Sequence, residues 1–104
     1  MTEREVACSL TPGELRCQAS ELLPGLAAQA RNGEWTDLGM RLRFLATSAQ
    51  LNAITQTIDR ERACCAFLTF RLEVPAAGAE LVLDVSGPEG TREFLAGLGV
   101  TFAR

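Results

Sequence analysis

Residues 68–85 read LTFRLEVPAAGAELVLDV, and this stretch decides the fold. Apolar side chains alternate with polar ones from Leu68 to Val74, and a similar alternation runs from Leu81 to Val85. A period of two residues is typical of a β-strand with one buried face. The segment between the two runs, Pro75–Ala79, contains proline and glycine, so it predicts a hairpin loop joining two antiparallel strands.

A strand and a helix are predicted before this hairpin. Met40, Leu42 and Phe44 recur at every second position and predict the strand. Residues 46–63 carry apolar side chains at helical spacing, so they predict a helix whose cap is Thr47 or Ser48. The apolar face of this helix comprises Leu51, Ile54 and Ile58.

After the hairpin, Ser86–Gly90 predicts a turn that leads into a short helix ending at Leu98. Gly99 then frees the chain for a last strand at residues 100–102. From residue 39 to residue 103 the predicted order is strand, helix, strand, strand, helix, strand. This βαββαβ unit is the ferredoxin-like split βαβ arrangement, so the predicted fold class is α+β.

An additional N-terminal helical segment is predicted over residues 11–33. Thr11 to Glu14 has the form of a capping box, and leucine and alanine recur at spacings of three and four as far as Ala30. Pro24 removes a helical hydrogen bond, which predicts a kink or a break around Leu23. Asn32 and Gly33 end the segment, and residues 34–37 are read as a connection. At 104 residues, the whole chain from 1 to 104 is expected to form a single domain.

Composition restricts the classes of function. A net charge of -3 disfavours nucleic acid as a partner, and no apolar run resembles a secretory or membrane-spanning segment, so we expect a cytosolic protein. In a reducing compartment the four cysteines are expected to be thiols. The chain has no histidine, tyrosine or lysine, so its chemistry must come from sulfur, carboxylate or guanidinium groups. We therefore predict no catalytic residues and favour a binding role.

Cys64 and Cys65 are the candidate metal ligands. On a helical wheel Cys65 shares the face of Ile54 and Ile58, while Cys64 lies about 100° around it. A disulfide between adjacent cysteines is strained, so the pair is better suited to hold one thiophilic ion as two thiolates. Arginine near the pair would lower the thiol pKa, whereas the C-terminal end of a helix dipole would raise it. The alternative is that the cysteines, Cys65 above all, are core residues.

Glu61 and Arg62 are the candidate supporting residues. They flank the helix face that contains Cys65, one on each side. Glu61 could orient Arg62 beside the thiols. The alternative is an ordinary solvated flank of the helix, in which both residues form ion pairs with their neighbours.

Three functions are compatible with these residues. The leading one is a cytosolic binding protein for a soft metal or metalloid ion of the mercury, copper(I) or arsenite class. The second is a non-catalytic dimerising or small-ligand-binding module with structural cysteines, and the third is a thiol redox protein. The predicted sheet has an open mixed face that needs partial cover, either from the N-terminal helix with its leucine stripe or from a second subunit. With both features present, we expect a homodimer.

The segment ERACCAFL at residues 61–68, followed by FRL at 70–72, GPEGT at 87–91 and EFL at 93–95, resembles a group of small bacterial proteins with an E-R-x-C-C-x-F segment. These proteins are mostly uncharacterised, and some are similar to products of heavy-metal resistance clusters. The resemblance covers nearly the whole chain and implies thiol-based handling of mercury or a related ion by Cys64 and Cys65. The group often has proline where this chain has Ala66, and Cys8 and Cys17 fall outside its pattern.

Overall fold

The computed structural model describes residues 22–64, 67–76 and 79–102, with only the backbone for Cys64. Its elements in chain order are α1 (Leu23–Gln29), β1 (Asn32–Thr36), β2 (Gly39–Phe44), α2 (Ser48–Cys64), β3 (Thr69–Glu73), β4 (Leu81–Ser86) and α3 (Thr91–Gly97). The fold class is α+β, as predicted. None of the helices in these ranges has the length and apolar character needed to cross a membrane.

The strands form one four-stranded antiparallel sheet in the order β1-β2-β4-β3. The hairpin predicted from residues 68–85 is confirmed, because β3 pairs with β4 and Leu72 lies opposite Leu83. Leu83 also lies opposite Leu42 of β2, so β2 and β4 are the two central strands. From β2 to α3 the element order and the strand neighbours are compatible with a ferredoxin-like fold.

The edge strand beside β2 differs from the prediction. Residues 34–37 were expected to be a connection and residues 100–102 a strand, but β1 occupies this edge and residues 100–102 are not in a strand. A two-residue turn joins β1 to β2, and closing so short a loop carries a smaller entropic penalty than bringing in a distant segment. Phe102 instead packs its ring on Trp35 of β1, with the centroids 4.8 Å apart.

The N-terminal helical segment is described only in part. Within residues 22–33, α1 begins at Leu23 and has Pro24 in its first turn, where no backbone amide is needed. The kink or break expected around Leu23 stays a prediction, because the segment before residue 22 lies outside the described residues. Asn32 and Gly33, which were expected to end the helical segment, belong to β1 instead. The predicted capping box lies outside the described residues.

One face of the sheet forms the core with the helices. Side chains at alternate positions of β2 and β4 face inward, and the helices supply Leu23 and Leu26 from α1, Ile54 from α2 and Leu95 from α3. The buried strand residues are Met40, Leu42, Phe44, Leu81, Leu83 and Val85. Burial of each such side chain stabilises the fold by about 1.5–3 kcal/mol, which makes this layer the main source of stability.

The opposite face of the sheet is charged and partly exposed. The strand register places Glu34, Arg41 and Asp84 in one row across β1, β2 and β4. Arg41 Nε donates to Asp84 Oδ1 at 2.7 Å, and Arg41 Nη1 lies 3.6 Å from Glu34 Oε2. A face that carries such ion pairs can remain in contact with water, so it does not need an apolar partner to cover it. The homodimer stays a prediction. Leu26 and Ala30 of the predicted leucine stripe are buried in the chain's own core, so only the part of the stripe before residue 22 is left for a second subunit.

The contact between Gly39 and the backbone of β4 generates a prediction. A Cβ at residue 39 would collide with the carbonyl oxygen of Val85, so Gly39→Ala should destabilise the protein by about 1–3 kcal/mol. Gly25→Ala is the matched control, because it lies in a helix with nothing within 4 Å of its Cβ position. The control should stabilise by about 0.4–1 kcal/mol. Urea unfolding of both variants measures the two effects, and a stabilising Gly39→Ala would contradict this account of the sheet.

Candidate functional site

Helix α2 positions the candidate site. Its start is capped by Thr47, whose Oγ1 accepts a hydrogen bond from the Gln50 amide at 3.1 Å. Buried side chains then follow at spacings of three and four residues, at Ile54, Thr57 and Glu61. This spacing places them on one side of the helix, the side that packs on the core. The helix therefore carries Glu61 into the interior one turn before it ends at Cys64.

Glu61 is the unusual residue of this helix. Its exposed fraction is 0%, and neither Oε1 nor Oε2 has a hydrogen-bond partner among the described residues. Burial removes water from the carboxyl group and raises its pKa to about 7, from an ordinary value of 4.5. Near neutral pH the group is thus divided between its protonated and ionised forms. The solvated flank considered for Glu61 in the sequence is not what the structure has.

Arg62 does not accompany Glu61 into the interior. Its side chain is 70% exposed, and its Nη2 lies 3.3 Å from Oδ1 of Asp59, one turn earlier on the same helix. For Arg62 the solvated flank with a local ion pair is therefore correct, and Glu61 does not orient it. An exposed ion pair of this kind contributes little to stability.

The two candidate metal ligands fall at the end of the described helix. The backbone of Cys64 forms the last residue of α2, three residues after Glu61, so positions 61 and 64 share one side of the helix. The Cys64 side chain and all of Cys65 lie outside the described residues, as do Cys8 and Cys17. Among the side chains that the structure does describe, no three acidic or cysteine groups cluster as metal ligands would.

The described chain resumes at Phe67, two residues after Cys65, and Phe67 packs in the core. Phe67 is buried and meets Phe94 of α3 edge to face, with ring centroids 5.1 Å apart. Gly87 lies against it, since a Cβ there would come within 3.1 Å of the Phe67 carbonyl oxygen. Thr91 closes the adjoining turn by donating its hydroxyl hydrogen to the Pro88 carbonyl at 2.6 Å. Phe67, the start of α3 and the end of β4 are thus close together at one end of the sheet.

Sequence reasoning placed Glu61 on the flank of the apolar stripe and missed its burial. The predicted buried face was defined by its apolar residues, which include Ile54 and Ile58, so Glu61 fell at the edge of that face and not within it. The signal that could have found it is the series Ile54, Thr57, Glu61, which has helical spacing and contains one polar and one ionisable residue. A helical wheel that marks only apolar residues leaves out Thr57 and Glu61, although both are buried.

Comparison of the chain with protein-family models, curated proteins and solved structures finds no match. Arguments about function therefore depend on the residues themselves.

The raised pKa of Glu61 makes stability depend on pH. A carboxyl that binds its proton more tightly when folded stabilises the fold fully below about pH 4.5, and this contribution is lost as the pH rises through about 7. Between these limits the free energy of unfolding should fall by on the order of 2–3 kcal/mol relative to Glu61→Gln, which cannot titrate.

Urea unfolding at a series of pH values measures this difference. Glu73→Gln is the matched control, because Glu73 is exposed on β3 and carries the same chemical change. Its pH profile should run parallel to that of the parent protein. A constant difference between parent and Glu61→Gln from pH 4.5 to 8 would show that the carboxyl titrates as it does in water.

Proposed function

We propose that this protein binds a thiophilic metal or metalloid ion through the thiolates of Cys64 and Cys65. The observation that supports this function best is the buried Glu61 carboxyl, which lies one helical turn before the pair and has no partner among the described residues. Buried polar groups are nearly always satisfied, and an exception is a common feature of binding and catalytic sites. A buried carboxyl group with unused lone pairs, three and four residues before the two cysteines in sequence, supports a cation-binding role for this end of α2.

The chemistry of adjacent thiols favours an ion over a disulfide. A bond between neighbouring cysteines would strain the peptide that joins them, whereas two thiolates can both reach one large soft ion. Mercury(II), copper(I) and arsenite are the ions that such a pair selects. The resemblance of ERACCAFL to proteins of heavy-metal resistance clusters supports the same class.

The proposal also includes the fold type, the cellular compartment and the oligomeric state. The unit from β2 to α3 is ferredoxin-like, with β1 in the edge position that the last strand holds in that fold. The protein works in the cytoplasm, where its cysteines stay reduced and able to bind an ion. It does so as a homodimer joined through the part of the predicted leucine stripe that precedes residue 22, since Leu26 and Ala30 are buried in the core of one chain.

Replacement of each cysteine separates binding from stability. Cys64→Ser should leave the free energy of unfolding within about 0.5 kcal/mol but weaken binding, because the ion loses one of two sulfur ligands. Cys65→Ser should destabilise by about 1–3 kcal/mol, since residue 65 follows the buried stripe and a hydroxyl there lacks an assured partner. Urea unfolding and titration with mercury(II) or arsenite measure the two properties.

The double variant Cys64→Ser with Cys65→Ser tests the proposal itself. Loss of mercury(II) and arsenite binding by a protein that still unfolds cooperatively would support the site. If the double variant binds both ions as tightly as the parent, the paired-thiol function is wrong and the dimerising interaction module becomes the better description.

The homodimer has its own measurement. Light scattering at tens of micromolar should give twice the mass of the 104-residue chain. Leu15→Arg, which places a charge on the predicted N-terminal stripe, should shift the protein toward monomer, whereas Arg43→Ala on the charged sheet face should not. A parent protein that is monomeric at this concentration would remove the dimer from the proposal.

A further inference from the structure

A cleft between β1 and α3 is lined by the only tryptophan of the chain. Trp35 forms one wall of this cleft. The other wall consists of three exposed residues of α3, namely Arg92, Glu93 and Ala96. The cleft has a volume of about 180 Å³. Because a cavity of about 150 Å³ is large enough for benzene, this cleft has room for a molecule of roughly six to eight non-hydrogen atoms.

The position of the Trp35 ring is fixed by neighbours outside the cleft. The ring packs on Phe102, with the centroids 4.8 Å apart, and it also packs against the hydrophobic core. Phe102 in turn fills the space beside Gly33, where a Cβ would come within 2.6 Å of Cδ1 of its ring. Trp35 is only half-buried, so part of a well-held indole ring stays accessible. Among aromatic side chains, tryptophan is the best partner for an organic cation.

Helix α3 places two opposite charges on either side of a small residue. At about 100° per residue, Ala96 lies between Arg92 and Glu93 in angle, about 40° from the first and about 60° from the second. Adjacent residues of a helix do not face each other, so the two charges do not neutralise one another directly. Neither charged residue has an ion-pair partner in the part of the chain that the structure describes. The methyl side chain of Ala96 leaves the space between them open.

The geometry points to a binding site for a small zwitterion that carries an ammonium group and a carboxylate. Trp35 and Glu93 bind the ammonium group, through the negative face of the indole ring and the charge of the side-chain carboxylate. Arg92 binds the carboxylate of the ligand. Because the cleft presents both signs of charge, it favours a ligand with both charges over a ligand with either one alone. The site contains no cysteine and is separate from the proposed ion site.

Titration of the full reduced chain with glycine betaine tests the inference. Trp35 is the only tryptophan and the chain has no tyrosine, so its fluorescence reports on the cleft directly and should change in a saturable way. Two molecules of nearly the same shape are the matched controls. Choline keeps the ammonium group but lacks the carboxylate, and tert-butylacetate keeps the carboxylate but has carbon in place of the charged nitrogen. Each should bind about threefold or more weakly than betaine, because each loses one charge interaction.

Variants of the lining residues assign the parts of the site. Ala96→Leu fills the cleft and should abolish betaine binding, while its exposed helical position keeps the protein folded. Ala49→Leu makes the same change at an exposed position of α2 and should bind betaine as the parent does. Arg92→Gln should lower the affinity for betaine to that for choline. Glu93→Gln should weaken betaine and choline by the same factor, whereas the affinity for tert-butylacetate should not fall.

Saturation-transfer NMR on the methyl protons of the ligand gives a second readout that does not depend on the indole. Betaine binding that persists in Ala96→Leu would overturn the inference, because the ligand would then lie elsewhere. Equal affinities for betaine, choline and tert-butylacetate would overturn it as well, since neither charge would be recognised. A parent protein that gives neither signal at tens of millimolar betaine has no such site. The double variant Cys64→Ser with Cys65→Ser should bind betaine like the parent, so this inference and the proposed function fail separately.

Discussion

The pairing of β2 with β4 is the constraint on which the rest of the structure depends. Both strands present every second side chain to the same side, and all the inward residues are almost fully buried. The two strands are separated in sequence by α2 and β3, so their pairing requires the helix to return along the length of the sheet. Gly39 permits the close approach at one end, where a side chain would strike the β4 backbone. Without this pair, no surface would exist for the helices to cover.

The route of α2 along the sheet determines where its last turn lies. A helix of 17 residues extends about 25 Å, which carries the chain from the end of β2 back toward its start. Thr69 of β3 lies opposite Ser86 of β4 at that same end, and the turn from Gly87 to Thr91 follows directly. Cys64 is the last residue of α2, and the described chain resumes at the buried Phe67.

The buried carboxyl of Glu61 reduces stability at neutral pH. The apolar core favours the neutral acid, and the pKa of the group is raised because burial removes water from it. The free energy of unfolding is therefore linked to pH through this one group.

The sequence by itself determined the α+β class, the β3–β4 hairpin, the long helix before it and the short helix after it, because hydrophobic periodicity is a local property. It also identified the cysteine pair as the residues with distinctive chemistry. It did not determine which segment pairs with the edge of β2, since β1 and residues 100–102 are both short and the choice depends on loop closure and on Trp35 meeting Phe102. The burial of Glu61 was likewise decided by tertiary structure, because a glutamate at the edge of an apolar stripe is solvated or enclosed according to what packs against that side of the helix.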